Sequence, residues 1–193
     1  MRDIDVRNAL RREVLKRHEG EPDTLVLHEL GLRHGVARVD VAVVNGSLHG
    51  YEIKSDSDTL DRLPAQIEIY GSVLDRATLV VGQRHADKAM DIVPPWWGVK
   101  IATEGPRGGI QLRDERRPRM NANIDPLAVA ELLWSIEAKE VLRDLEYSEK
   151  DLRKPRAYLY RELARVMPLD ELRDTVRAML KRREKWRGQP QPA

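Results

Sequence analysis

The chain has 193 residues, 41% of them hydrophobic, with 34 Lys/Arg against 32 Asp/Glu for a net charge of +2, and no cysteine. That length suits one substantial domain with an appendage or two small ones, and the missing cysteine excludes disulfides and thiolate metal sites. No apolar run approaches the roughly 20 residues of a membrane span and the start lacks the apolar stretch of a secretory signal, so a cytoplasmic protein with no membrane partner is expected.

Residues 4–19 place Ile4, Val6, Ala9, Leu10, Val14 and Leu15 among charges at helical spacing, with Gly20 closing the helix. Arg11, Arg12, Lys16 and Arg17 form its wet face or reach a phosphate, and His18 is a candidate catalytic helper. Thr24 to Leu30 reads as a strand or a short helical turn. Glu29 within it is a third carboxylate that would ligate a metal, orient a water or pair with Arg38.

Arg38 to Lys54 is the stretch around which the rest is organised: two β-rich runs flank Asn45-Gly46, a hairpin signal. A two-residue loop would put Asp40 and Glu52 on opposite faces of the sheet. A three-residue Asn45-Gly46-Ser47 loop, with Gly46 in the left-handed conformation, pairs Val44 with Leu48 and Asp40 with Glu52. One face then carries Asp40, Ala42, Val44, Leu48, Gly50, Glu52 and Lys54, and the other Val39, Val41, Val43, His49, Tyr51 and Ile53. The second register segregates charge from apolar residues, so it is the one expected. Two carboxylates beside a lysine oppose joint ionisation, a cost that a divalent cation removes. Asp40, Glu52 and the Ile53 carbonyl suit Mg²⁺ or Mn²⁺, and Lys54 would position a water or offset phosphate charge.

After a Ser55 to Asp58 loop, with Asp58 expected as a helix N-cap, Leu60, Leu63, Ile67, Tyr70 and Leu74 recur on one helical face. Pro64 marks a kink or a fresh helix start. Gln66 and Tyr70, four apart, are surface neighbours, and Arg62 and Arg38 are candidate nucleic-acid contacts.

The pattern Asp40, eleven residues, Glu52-Ile53-Lys54 resembles the core of the PD-(D/E)XK nuclease superfamily, with Val39 where a proline is common. Gln66-Ile67-Glu68-Ile69-Tyr70 resembles the Q-x-x-x-Y element of its RecB-like branch. Together with Glu29, Arg38-Val39-Asp40 and Leu60 to Leu63, the chain is similar to a family of small bacterial proteins of that superfamily over residues 25–82. The resemblance implies an α/β fold with a restriction-endonuclease-like core, a mixed central sheet flanked by helices. It further implies a Mg²⁺ (or Mn²⁺) ion on Asp40 and Glu52, with Glu29 and Ile53 as further ligands. Catalytic residues would be Asp40, Glu52, Lys54, Gln66 and Tyr70, and the activity a metal-dependent hydrolysis of nucleic acid, with DNA the expected substrate. The alternative is a non-catalytic nucleic-acid-binding or protein-interaction module on the same fold.

Ala77 to Gly82 reads as a buried parallel strand after a crossover helix, residues 84–92 as another helix, and Trp97 to Thr103 with Ile110 to Arg113 as a hairpin. Trp96 and Trp97 are expected to pack over the sheet end. The domain plan is a nuclease-like domain over 1–115, a linker over 116–124, an all-helical C-terminal subdomain over 125–187 and a disordered tail over 188–193. Residues 143–187 hold 14 Lys/Arg against 9 Asp/Glu, leaving the rest of the chain at −3. These basic helices would dock nucleic acid, a partner protein or a second copy, or are simply solvated.

Overall fold

The computed structural model describes residues 1–183. The tail expected over 188–193 and the end of the helical region, 184–187, lie outside the described residues. Helix α1 (Asp3–Glu13) is followed by a 3-10 turn, Leu15–His18. Strands β1 (Leu25–Leu32), β2 (Ala37–Val44) and β3 (Leu48–Lys54) come next, then α2 (Leu63–Val73), β4 (Arg76–Gly82), α3 (Ala86–Ile92), β5 (Gly98–Glu104) and β6 (Ile110–Arg116). The C-terminal helices are α4 (Pro126–Ala130), α5 (Ser135–Asp144), α6 (Glu149–Leu152), α7 (Arg156–Val166) and α8 (Leu169–Arg182).

The strands form one six-stranded sheet in chain order, antiparallel from β1 to β3, parallel through β3, β4 and β5, and antiparallel again at β6. It is a mixed sheet flanked by helices, hence α/β. The near-continuous apolar run of β4 is buried on both faces, as a central parallel strand requires. One face is covered by α1, whose Val6, Ala9 and Leu10 pack on Val41, Val43, Tyr51 and Ile53. The other face packs on α2, α3 and the C-terminal helices in a single continuous core that runs from Leu27 and Leu79 to Leu163 and Leu180.

The stretch expected as a linker is fastened to the body: Asn121 N–H donates to the Asp75 carbonyl and its side-chain amide to the carbonyls of Gly71 and Leu74, while Asp125 N–H donates to that of Ser72. Helix α8 is tied down as well, through Arg173 and Arg177 on the buried Asp75 carboxylate. Many of the basic residues offered by the sequence as nucleic-acid contacts pair within the chain: Lys181 with Asp23, Arg182 with Glu140, Arg183 with Glu137. Among the described residues no helix is long and apolar enough to cross a membrane.

Two local expectations change and a third holds. Gly46 does not take a positive φ, because Asn45 closes the turn itself: its side-chain oxygen accepts from Ser47 N–H and its N–H donates to the Ser47 carbonyl. Asp58 does not cap α2 but turns back to accept from the Ser55 N–H and hydroxyl, and the helix starts at Leu63 with Pro64 in its first turn, where no donor is lost. Trp97 packs inside as expected, parallel to the Tyr70 ring at 5.8 Å.

Candidate active site at the fork of the sheet

The hairpin register follows the three-residue loop, Val44 opposite Leu48 and Val41 opposite Tyr51. It ends there. Beyond Val41 the first half of β2, Ala37 to Val39, stays with β1, while Glu52 to Lys54 of β3 continue on β4, so the sheet forks between Asp40 and Glu52. A change of phase accompanies the fork. Val39 packs with Ala42 on the α2 face, whereas Val41 and Val43 face α1, so Val39 is not on the face the alternation assigned to it. The cause is local: Glu29, at the level of Asp40 on β1, has φ 56°, and both strands skip one step of the pleat there.

The fork leaves ladder groups unpaired, and side chains replace them. The Asp40 carboxylate accepts from Ile53 N–H at 2.7 Å through Oδ2, standing where a neighbouring carbonyl would. Its Oδ1 accepts from Arg7 at 3.2 Å, and Arg7 also reaches the Asp40 carbonyl. On the other prong Glu52 is buried and all but closed in: Oε1 accepts from Lys54 at 2.6 Å and from Gln66 at 2.7 Å, while Oε2 sits 2.6 Å from the Tyr70 hydroxyl. That hydroxyl is also 2.5 Å from the Arg38 carbonyl, so Tyr70 spans the two prongs. Gln66 and Tyr70, one helical turn apart on α2, thus both act on Glu52, with Lys54 alongside.

These groups open on a cleft of about 550 Å³ lined also by Asp3, Glu29, Arg38, Ile53, Asp58 and Arg62. Burial, and after it the charge of Glu52, push the Asp40 carboxyl from 3.8 up to about 6, against the Ile53 N–H bond and the charges of Arg7 and Lys54. Burial and Glu52 raise the Tyr70 hydroxyl as well, so it remains a donor. Glu29 and Arg38 both border the cleft but pair with each other at 2.8 Å in exposed positions. Arg62 is exposed at the rim with no ion pair among the described residues. His18 lies elsewhere, bonded to Glu21.

The donor set is one of hard oxygens, the Asp40 and Glu52 carboxylates with the Ile53 carbonyl on the same wall. Two observations fit a divalent cation: the Asp40 carboxyl is raised by burial and then by the charge of Glu52, and Gln66 Oε1 is buried without a partner among the described residues. Among the described residues no three His, Asp or Glu side chains converge as a preformed cluster. Asp40 and Glu52 are therefore the pair that would hold such an ion.

Sequence reasoning passed over Arg7, which fixes Asp40. The signal was available: position 7 borders the apolar stripe of Ile4, Val6 and Leu10, and a cation held there, 13% exposed, has to meet an anion on the surface it packs against.

Fold and site together define an α/β protein whose forked mixed sheet holds a buried carboxylate–lysine pair beneath an open cleft. A family model described as bacteriophage P4 protein cII matches residues 5–189, and the chain belongs to that family. Protein cII of Enterobacteria phage P4 is 25% identical over 167 residues, which cover 83% of this chain and 60% of that relative, so the chain spans less than two thirds of the length of the curated protein it matches. No solved structure matches the chain.

Proposed function

We propose that the protein is a divalent-metal-dependent nuclease with a restriction-endonuclease-like core, hydrolysing phosphodiester bonds of nucleic acid, DNA in the first instance. One observation carries the reading: Asp40, Glu52, Lys54 and Gln66 line a single open cleft at the fork, with Lys54, Gln66 and Tyr70 gathered on Glu52. Asp40, Glu52 and the Ile53 carbonyl would hold Mg²⁺ or Mn²⁺, which when bound supplies Lewis acidity at the scissile phosphate. The chain's own groups do the rest. Arg7 and Ile53 N–H hold Asp40 toward the cleft; Gln66 and Tyr70 hold Glu52. Lys54 places a positive charge and N–H donors beside the reacting phosphate, where they offset developing charge. Arg62 at the rim is available to a neighbouring phosphate, and Arg38 becomes so if it releases Glu29.

The rival reading, a non-catalytic nucleic-acid-binding or protein-interaction module, draws on the Glu52 carboxylate being fully engaged by three neighbours. On either reading a partner protein or second copy would dock on the C-terminal helical region, where Ile136, Leu145 and Val166 are exposed. Single- and double-stranded DNA and RNA are incubated with Mg²⁺, Mn²⁺ or EDTA, using the unsubstituted chain, Asp40→Ala and Lys54→Ala. Metal-dependent cleavage, reduced about 100-fold or more in both variants, is expected. Retardation of nucleic acid without cleavage under any metal supports the binding module and refutes the nuclease.

A further inference from the structure

A second cleft, of about 510 Å³, lies at the turn end of the β2–β3 hairpin on the face covered by α1. We propose that it is a binding site for a phosphate group, separate from the carboxylate cleft. The register sets His49 of β3 beside Arg76 of β4, and the 3-10 turn after α1 brings Arg17 and His18 over the same spot, with Asn45 and Ser47 of the hairpin turn completing the wall.

The chemistry of this wall is opposite to that of the fork. The fork cleft is lined by Asp3, Glu29, Asp40, Glu52 and Asp58; no lining residue of this one is acidic. Neither arginine has an ion-pair partner among the described residues. Arg76 makes only a 3.4 Å bond to the Pro118 carbonyl, and Arg17 donates to the His18 ring at 3.3 Å, a ring whose other nitrogen bonds Glu21. Two guanidinium groups left facing a shared concavity repel each other, and a multiply charged oxyanion accepting from both removes that cost.

His49 reports the field. Stacked on Tyr51 at 4.3 Å with Nε2 on the Thr78 hydroxyl, it is pushed down to about 3 by burial and then by Arg76, His18, Arg17 and Lys100. Three steps along β3 lead from His49 to Glu52, about 10 Å at strand rise, so one phosphate does not serve both clefts. The phosphate comes either from a nucleic-acid strand or from a free phosphomonoester.

The test follows the His49 ring resonances by NMR in the full chain, in EDTA. The titrants are inorganic phosphate, adenosine monophosphate and a ten-nucleotide DNA strand without terminal phosphates. Saturable shifts with phosphate are expected, with affinity weakened about tenfold or more in Arg17→Ala and in Arg76→Ala, and retained in Asp40→Asn. Arg17 is exposed, so its variant keeps the fold, and far-UV circular dichroism checks both. Shifts with the strand as well assign internal phosphodiesters as the source; shifts with phosphate and the monophosphate alone assign a free phosphomonoester. No saturable shift with any titrant, shifts that survive both arginine substitutions, or shifts lost in Asp40→Asn would each overturn the site. The nuclease reading stands or falls apart from it, because cleavage is measured at the other cleft.

Discussion

Asp40→Asn should make the protein more stable at neutral pH while removing the nuclease activity we propose. The Asp40 carboxyl is raised from 3.8 to about 6 by burial and by Glu52, and at 1.36 kcal/mol per unit this is about 3 kcal/mol. The direction follows from linkage. Between about pH 4 and pH 6 the folded chain holds a proton on Asp40 that the unfolded chain has released, so stability falls as pH rises, and the whole penalty is present above pH 6. Asparagine carries no charge and keeps an oxygen for Ile53 N–H, but its amide nitrogen does not accept from Arg7, a loss of about 1–2 kcal/mol. The net expectation is a gain of about 1–2 kcal/mol at pH 8 that shrinks or reverses at pH 4.5. Urea unfolding at both pH values measures it, and the difference between the parent and the variant reads Asp40 together with its coupling to Glu52. A substituted chain less stable than the parent by the same margin at both pH values would refute the reasoning.

Asp75→Ala acts on the fold alone. It removes a buried carboxylate that accepts from Leu48 N–H at 2.6 Å, Arg173 at 2.7 Å and Arg177 at 3.0 Å, and should cost about 3–5 kcal/mol by denaturant unfolding; a loss below about 1 kcal/mol would mean that α8 is held by apolar packing and not by this carboxylate. Tyr70→Phe takes away the hydroxyl that spans Glu52 and the Arg38 carbonyl, and should cost about 1–3 kcal/mol of stability while lowering kcat of the proposed nuclease more than it raises KM. An unaltered unfolding midpoint would show that the two prongs of the fork are held without it.

The sequence exposed what is local and periodic. The alternation of β2 and β3, with charge confined to one face, selected the register that the structure adopts, and the spacing of Gln66 and Tyr70 put both on one side of α2. The fork was not legible, because it arises where a ladder fails: a positive φ at Glu29 and the loss of pairing after Val41 leave no trace in hydrophobic pattern, and the phase change moved Val39 to the other core. Arg7 was missed for a related reason. Its partner is 33 positions away and is defined by how α1 crosses the sheet. The unity of the core was hidden too, since residues 116–124 look like a linker by composition, and Asn121 within them and Asp125 just after are instead bonded to α2 and to the turn that follows it.

The fork is an expensive piece of architecture, and its cost bears on what it is for. Ending the β2–β3 ladder early breaks regular hydrogen bonds in the middle of the sheet, and the chain replaces them with a carboxylate from Asp40, a guanidinium from Arg7 and a phenol from Tyr70, each drawn from a different element. A sheet selected for stability alone would carry apolar pairs at 40 and 52, since a buried charged cluster is commonly no better than the hydrophobic residues that could replace it. Here the replacement groups do not neutralise the pair: Asp40 still titrates near 6, and the cleft above it stays open to solvent. Retaining two acids in that state, with a lysine fixed to one of them, is the feature on which the proposed cation and phosphate site rests.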